Sequence, residues 1–202
     1  MIKIEFDDKT LEIAQNLFAE CPEQVKYAAS RAINRTATAV RAELSGLIIE
    51  KYDISSANVK KAITIKRSMR KVLRGVVGTV GRMMLPITYF NLSPKPKNII
   101  SALRAGEKIA KAGPMRVRVI RAGGFKNVPG LFVQQSSRSN YAGPMLRYLK
   151  TRYPLDIPYG PSIPQMAGNK DVLEDLAPFA EKVLNRRFLH EVSYRYGKFG
   201  GR

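Results

Sequence analysis

Three features of the 202-residue sequence predict an α+β fold: a mostly antiparallel sheet packed against a long N-terminal helix and a C-terminal helix, with extended basic loops. Apolar residues step by three or four from Val25 to Leu47 and again from Val172 to Val192, which collects them on one face of a helix. Between those stretches, runs rich in β-branched and aromatic residues are punctuated by glycine and proline, as strands joined by turns are. The length suits one core of ordinary domain size, so residues 1-202 are expected to form a single domain.

Each element has its own local signal. Ile2, Ile4 and Phe6 alternate with Lys3 and Glu5, the period of a half-buried strand. Leu11 to Phe18 repeats at helical spacing. Pro22 then opens a long helix to Lys51, since proline at the first position lacks only an N–H that would have no partner. Its stripe of Val25, Ala29, Ala32 or Ile33, Thr36, Val40, Leu44 and Leu47 is rich in small residues, so something packs closely against it. Ser55 or Ser56 caps a short helix ending at Ala62. Strands are expected at Ile63 to Lys66, Val72 to Arg82 and Pro86 to Asn91, with Gly75, Gly78 and Gly81 marking bends or bulges.

Ser93 to Lys97 has two prolines, two lysines and nothing apolar, so it reads as an exposed loop, while Ile99 to Ala112 fits a helix or a basic loop equally well. Met115, Val117 and Val119 alternate with Arg116 and Arg118, giving a strand with one buried and one cationic face. After a basic loop containing Arg121 and Lys126, Pro129 to Gln135 is expected to return as its hairpin partner, and Met145 to Leu155 is a last strand. Pro158, Pro161 and Pro164 impose an extended path. The C-terminal helix spans 170-196, capped by Asn169 or Asp171, and Pro178 either kinks it or marks its true start.

Charge carries the functional signal. Thirty-five Lys and Arg against 16 Asp and Glu give a formal net charge of +19. Residues 1–53 carry 7 basic and 9 acidic side chains, residues 156–202 carry 7 and 6, and residues 54-155 carry 21 basic side chains against the single acid Glu107. The basic central segment is therefore the interacting part, facing a polyanion or an acidic protein surface that relieves its self-repulsion. Lys60, Lys61, Lys66, Arg67, Arg70, Lys71 and Arg74 fall within fifteen residues with no acid among them, while Val59, Ile63, Ile65, Val72 and Leu73 are expected to supply the buried contacts there. Arg116, Arg118, Arg121 and Lys126 form a second candidate set for anion, DNA or subunit contact. On the long helix, Arg31, Arg35 and Arg41 form a polar face that either meets solvent or contacts a neighbouring subunit or nucleic acid.

No catalytic constellation accompanies these cations, and an enzyme is not expected. His190 has no evident nucleophile beside it and reads as a surface histidine, and Cys21 at a helix start has no second catalytic member. With one cysteine and one histidine there is no set of soft ligands, so neither a metal nor a cofactor is expected. No apolar run approaches the ~20 residues of a membrane helix, and Asp7 and Asp8 lie where a signal peptide is apolar, so a cytosolic, unprocessed chain without a membrane partner is expected. The Arg121 to Val128 loop lacks the Lys-Ser or Lys-Thr pair of a phosphate loop and reads as a turn. Tyr89, Phe90, Phe125, Phe132, Tyr141, Tyr148 and Tyr153 interleave with the cations, a pattern that suits single-stranded nucleic acid, although the core also needs such rings.

Four segments carry a resemblance that composition does not supply: Ala32-Ile33-Asn34-Arg35, Leu85-Pro86-Ile87, Val128 to Gln135, and Arg152 to Ile157 leading into Gly160-Pro161-Ser162-Ile163-Pro164. In this order and spacing they resemble the minor tail protein Z family of long-tailed phages and prophages, over about Ala28 to Met166. The departures are Ser93 to Lys97 and Ser136 to Gly143. The resemblance implies a structural virion protein, a tail completion subunit at the head-proximal end of the tail, made in the host cytoplasm. It implies a sixfold ring of copies around the DNA path, adjoining the tail terminator and head-tail connector proteins and helping to join tail to head, with phage DNA in the lumen. It implies no catalytic residues. The alternative from the residues themselves is a free basic nucleic-acid-binding protein.

Overall fold

Alanine dominates the buried side of the first long helix, and the consequence is a strand laid almost directly on its backbone. In the computed structural model, which describes residues 2–6, 22–95, 101, 115–135, 142–147, 151 and 154–199, helix α1 spans Pro22–Lys51. Ala28, Ala29, Ala32, Ile33 and Ala37 on it are at most 1% exposed. The architecture is α+β: two long helices and several small antiparallel sheets. The chain folds into two compact units, one built from Met1–Leu47, Lys60–Val80 and Ala167–Arg202, the other from Ile48–Val59 and Gly81–Met166.

In the first unit, strands β1 (Ile2–Glu5), β2 (Ile63–Lys66) and β3 (Arg74–Thr79) form an antiparallel sheet with β3 in the centre. Ile4 lies opposite Gly75, and Ile65 opposite Val77. A Cβ on Gly75 would stand 2.6 Å from Cγ2 of Ile33, so glycine is what lets β3 approach the helix this closely. The C-terminal helix, Lys170–Phe199, adds Val172, Leu176, Val183 and Phe188 to the core, with Phe188 tilted against Phe6 at 4.5 Å between ring centroids. Asn169 caps it, its Oδ1 accepting the Asp171 N–H at 3.1 Å. Pro178 lies inside this helix and does not mark its start.

In the second unit, helix α2 (Ser56–Ala62) begins after Ser55, whose carbonyl accepts from the Asn58 and Val59 N–H groups. Three small sheets follow. Strand β4 (Met84–Pro86) pairs with β10 (Tyr159–Pro161), with Leu85 opposite Gly160. Strands β5 (Asn91–Ser93), β6 (Arg116–Arg118) and β7 (Lys126–Asn127) form a three-stranded sheet, and β8 (Leu131–Gln135) pairs with β9 (Ala142–Leu146). Leu85, Ile87, Phe90, Leu92, Met115 and Val117 are buried with Ile48 and Tyr52 from the end of α1. Helix α3 (Ile163–Ala167) starts with a reciprocal cap: Ser162 Oγ accepts from the Gln165 N–H, and Gln165 Oε1 accepts from the Ser162 N–H. The C-terminal helix is therefore α4.

Five expectations are corrected. Pro86 to Asn91 is not one strand, because Ile87 and Phe90 must both face inward, and a 3-10 turn at Ile87–Tyr89 places them three residues apart on one side. The Val72 to Arg82 strand contracts to Arg74–Thr79. The hairpin partner of β6 is Lys126–Asn127 rather than Pro129 to Gln135. The chain turns again at Gly130, whose φ of +75° is open to glycine, and so hands β8 to β9 instead. The last strand is Ala142–Leu146, ending where Leu146 bridges to Asp156. The extended path of the prolines stops at Ser162, and Pro164 sits in the first turn of α3, where proline costs no helical hydrogen bond. The expected helix from Leu11 to Phe18, the stretch 99–112 apart from Ser101, Cys21, Glu107, Tyr141, Tyr148 and Tyr153 lie outside the described residues.

Candidate functional site

Between β2 and β3 the chain makes a tight turn that carries Arg67, Arg70 and Lys71. Met69 and Val72 exchange backbone hydrogen bonds of 3.1 and 3.0 Å across it, and Ser68 Oγ donates to the Val72 carbonyl at 3.1 Å. The turn is fastened to α1 by Asn34. Its Oδ1 accepts the Ser68 N–H at 2.8 Å and its Nδ2 donates to the Ser68 carbonyl at 3.0 Å, so a side-chain amide occupies the place of a paired backbone. Ser30 Oγ donates to the same carbonyl at 3.3 Å. Held this way, the turn faces solvent with its apolar residues as well: Met69 is 70% and Val72 60% exposed, which corrects the expectation that Val72 is a buried contact.

The seven cations of this stretch are all exposed, but they are not equivalent. Arg74 Nε meets Glu5 Oε2 at 2.5 Å across the sheet, and the Arg70 guanidinium lies 4.2 Å above the Tyr27 ring. Lys60, Lys61, Lys66, Arg67 and Lys71 form no ion pair among the described residues. In the second unit the split repeats. Arg118 Nε meets Asp53 Oδ2 at 2.5 Å and stacks on Phe125 at 4.9 Å, and Arg121 approaches the same carboxylate at 3.9 Å. Arg116 and Lys126 stay exposed on neighbouring strands β6 and β7.

The three helix arginines are occupied inside the fold. Glu191 on α4 is 2% exposed, and its carboxylate takes Arg35 at 2.8 Å and Arg31 at 3.2 Å. Arg41 donates to the Lys60 carbonyl at 2.9 Å. Sequence reading missed Glu191 as the partner of this face and Arg187 beside it. Their signal was present: positions 187 and 191 continue the line of Val172, Leu176 and Val183, so charged side chains stand on the buried stripe of α4. Beside this ion pair lies an open cleft of about 590 Å³, lined by Asn34, Arg35, Thr38, Ala39, Ala42, Arg67 and Arg187.

The segments that carry the resemblance have structural work in the fold. Ala32 and Ile33 are fully buried, Asn34 fastens the cationic turn, and Arg35 meets Glu191. Leu85 and Pro86 pair with Gly160 and Tyr159 in the β4–β10 ribbon, Ile87 is buried, and a Cβ on Gly160 would stand 2.5 Å from the Phe90 ring. Among the described residues no group of three His, Cys, Asp or Glu converges as metal ligands would, and no helix is long and apolar enough to cross a membrane. The chain matched no curated protein and no solved structure. A family model for prophage minor tail protein Z, in contrast, matches residues 12–195, which takes in all four segments, and the chain accordingly belongs to the prophage minor tail protein Z family: it is a phage minor tail protein.

Proposed function

We propose that this minor tail protein is a structural, non-catalytic tail completion subunit that sits at the head-proximal end of the tail. There it forms a ring of six copies beside the tail terminator and helps join the tail to the head connector. The observation that carries the reading is the cationic turn from Arg67 to Lys71, bound to the long helix by Asn34 and standing next to Lys60, Lys61 and Lys66 without compensating acids. A fixed array of this kind is built to meet a large anionic surface, and its strength grows with the number of copies that present it together. Tail location follows from membership of the family.

The surface it meets is DNA in the tail lumen or an acidic face of a neighbouring tail protein. Electron microscopy of purified tails tests the reading. A ring of this protein at the head-proximal end, and tails unable to join heads when it is deleted, are the expected results. Its absence from tails, together with tight solution binding to nucleic acid, supports a free nucleic-acid-binding protein instead.

A further inference from the structure

We infer that the arginine cleft of the first unit takes carboxylates from the exposed acidic face of α4 on a second copy of this chain, an inference that rests on the ring proposed above and supplies its contact. The cleft is open, about 590 Å³, and three guanidinium groups from three separate elements surround it: Arg35 on α1, Arg67 on the turn and Arg187 on α4. Glu191 engages Arg35 alone of these three, Arg67 has no ion pair among the described residues, and Nε of Arg187 is shielded from water with no hydrogen-bond partner. Guanidinium groups gathered round one open cleft favour a carboxylate that neutralises them. The lining narrows the choice of acceptor. Between the arginines, Ala39 and Ala42 present methyl groups, which suit the aliphatic stem of a glutamate lying on a helix better than a hydrated phosphodiester backbone.

The matching surface is on the same chain. Glu174, Ala177, Pro178 and Glu181 project from one face of α4, all exposed, so the two acids stand two turns apart with only small or ring side chains between them. Pro178 also supplies no N–H to the Glu174 carbonyl, which leaves a further acceptor there. Among the described residues Glu174 pairs with the exposed Lys170, at 3.6 Å, an ion pair that is easily exchanged. A helix face this low can lie against Ala39 and Ala42 while its acids reach the arginines that share the cleft. Along α4, Glu174 stands about 20 Å from Arg187 and Glu181 about 9 Å and a third of a turn round the helix, so the two acids cannot reach the cleft of their own copy together. The contact therefore joins cleft to face between copies, a head-to-tail geometry that generates rings when it closes.

Charge reversal in the full-length chain tests this. One variant carries Arg67→Glu and Arg187→Glu, the other Glu174→Arg and Glu181→Arg. Each alone should self-associate at least about tenfold more weakly than wild type by sedimentation velocity, and an equimolar mixture of the two should regain association, because each reversed cleft then meets a reversed face. If the cleft variant unfolds, the helix-face variant, altered only at exposed positions, still decides. Wild-type association in that variant, or a mixture of folded variants that fails to recover, overturns the contact. So does loss of duplex DNA binding in the cleft variant with self-association intact, which assigns the cleft to phosphodiesters. A wild-type chain that stays monomeric while tails carry its ring removes this contact and leaves the ring, whereas tails without any ring remove the proposed function itself.

Discussion

Gly130 shows how narrow the tolerance is at single positions of this fold. Its φ is +75°, and a Cβ there would stand 2.8 Å from the Arg147 carbonyl oxygen, so both the backbone conformation and the neighbouring strand exclude a side chain. Gly130→Val should destabilise the chain by about 2–4 kcal/mol in urea denaturation, with the loss appearing as misfolding; an unchanged melting temperature would mean that neither constraint operates. Glu191 allows a sharper comparison. The carboxylate is the buried member of its ion pairs, while Arg31 and Arg35 remain about half exposed. Removing both arginines strands a buried charge and should cost about 3 kcal/mol, whereas Glu191→Gln leaves only rehydrated guanidinium groups and should cost clearly less. The reverse order of stabilities contradicts the assignment of Glu191 as the desolvated partner.

Among the elements, the cationic turn depends on one side chain from the helix beneath it. Asn34→Leu removes both hydrogen bonds to Ser68 at little change in volume, so the fold should lose about 2 kcal/mol, and amide exchange should accelerate most at Ser68 and Val72. Protection unchanged in that turn would show that its own hydrogen bonds suffice. The boundaries of α1 and β2 were legible because proline, serine and the change of period from helical to alternating mark them locally. The pairing of β6 was not, since Lys126 and Asn127 are neither apolar nor β-branched and only register selects them over Leu131–Gln135. Val72 looked buried for the same reason: a β-branched residue beside a strand implies a core, but the turn that exposes it is dictated by Asn34, which lies 38 residues earlier in the sequence.

At the scale of the molecule, the cations of the described residues divide into those paired within the fold and those that face outward. Arg31, Arg35, Arg41, Arg74, Arg118 and Arg121 meet acids or carbonyls of the fold, while Lys60, Lys61, Lys66, Arg67, Lys71, Arg116 and Lys126 face outward. That sorting could not be read in advance. Composition locates the excess charge in residues 54–155, but which cations are consumed depends on acids such as Asp53 and Glu191 from the two ends of the sequence. The excess itself was plain, as was the family, whose motifs include the buried Ala32, Ile33, Leu85 and Ile87 and the turn at Gly130. The central claim is that this minor tail protein works through its outward cations on an anionic partner. The most direct measurement is complementation of a deletion with the chain in which Lys66, Arg67, Arg70 and Lys71 are all glutamine. The variant should melt close to wild type, because exposed substitutions change stability by only about ±0.5 kcal/mol each and the lost Arg70–Tyr27 stacking by about 0.5–1 kcal/mol, and should incorporate no functional tail end. If the partner is DNA, the salt dependence of its affinity should also flatten by about 0.9 in slope for each phosphate that is no longer neutralised. Infectious particles produced by the folded variant at the wild-type rate would contradict the account.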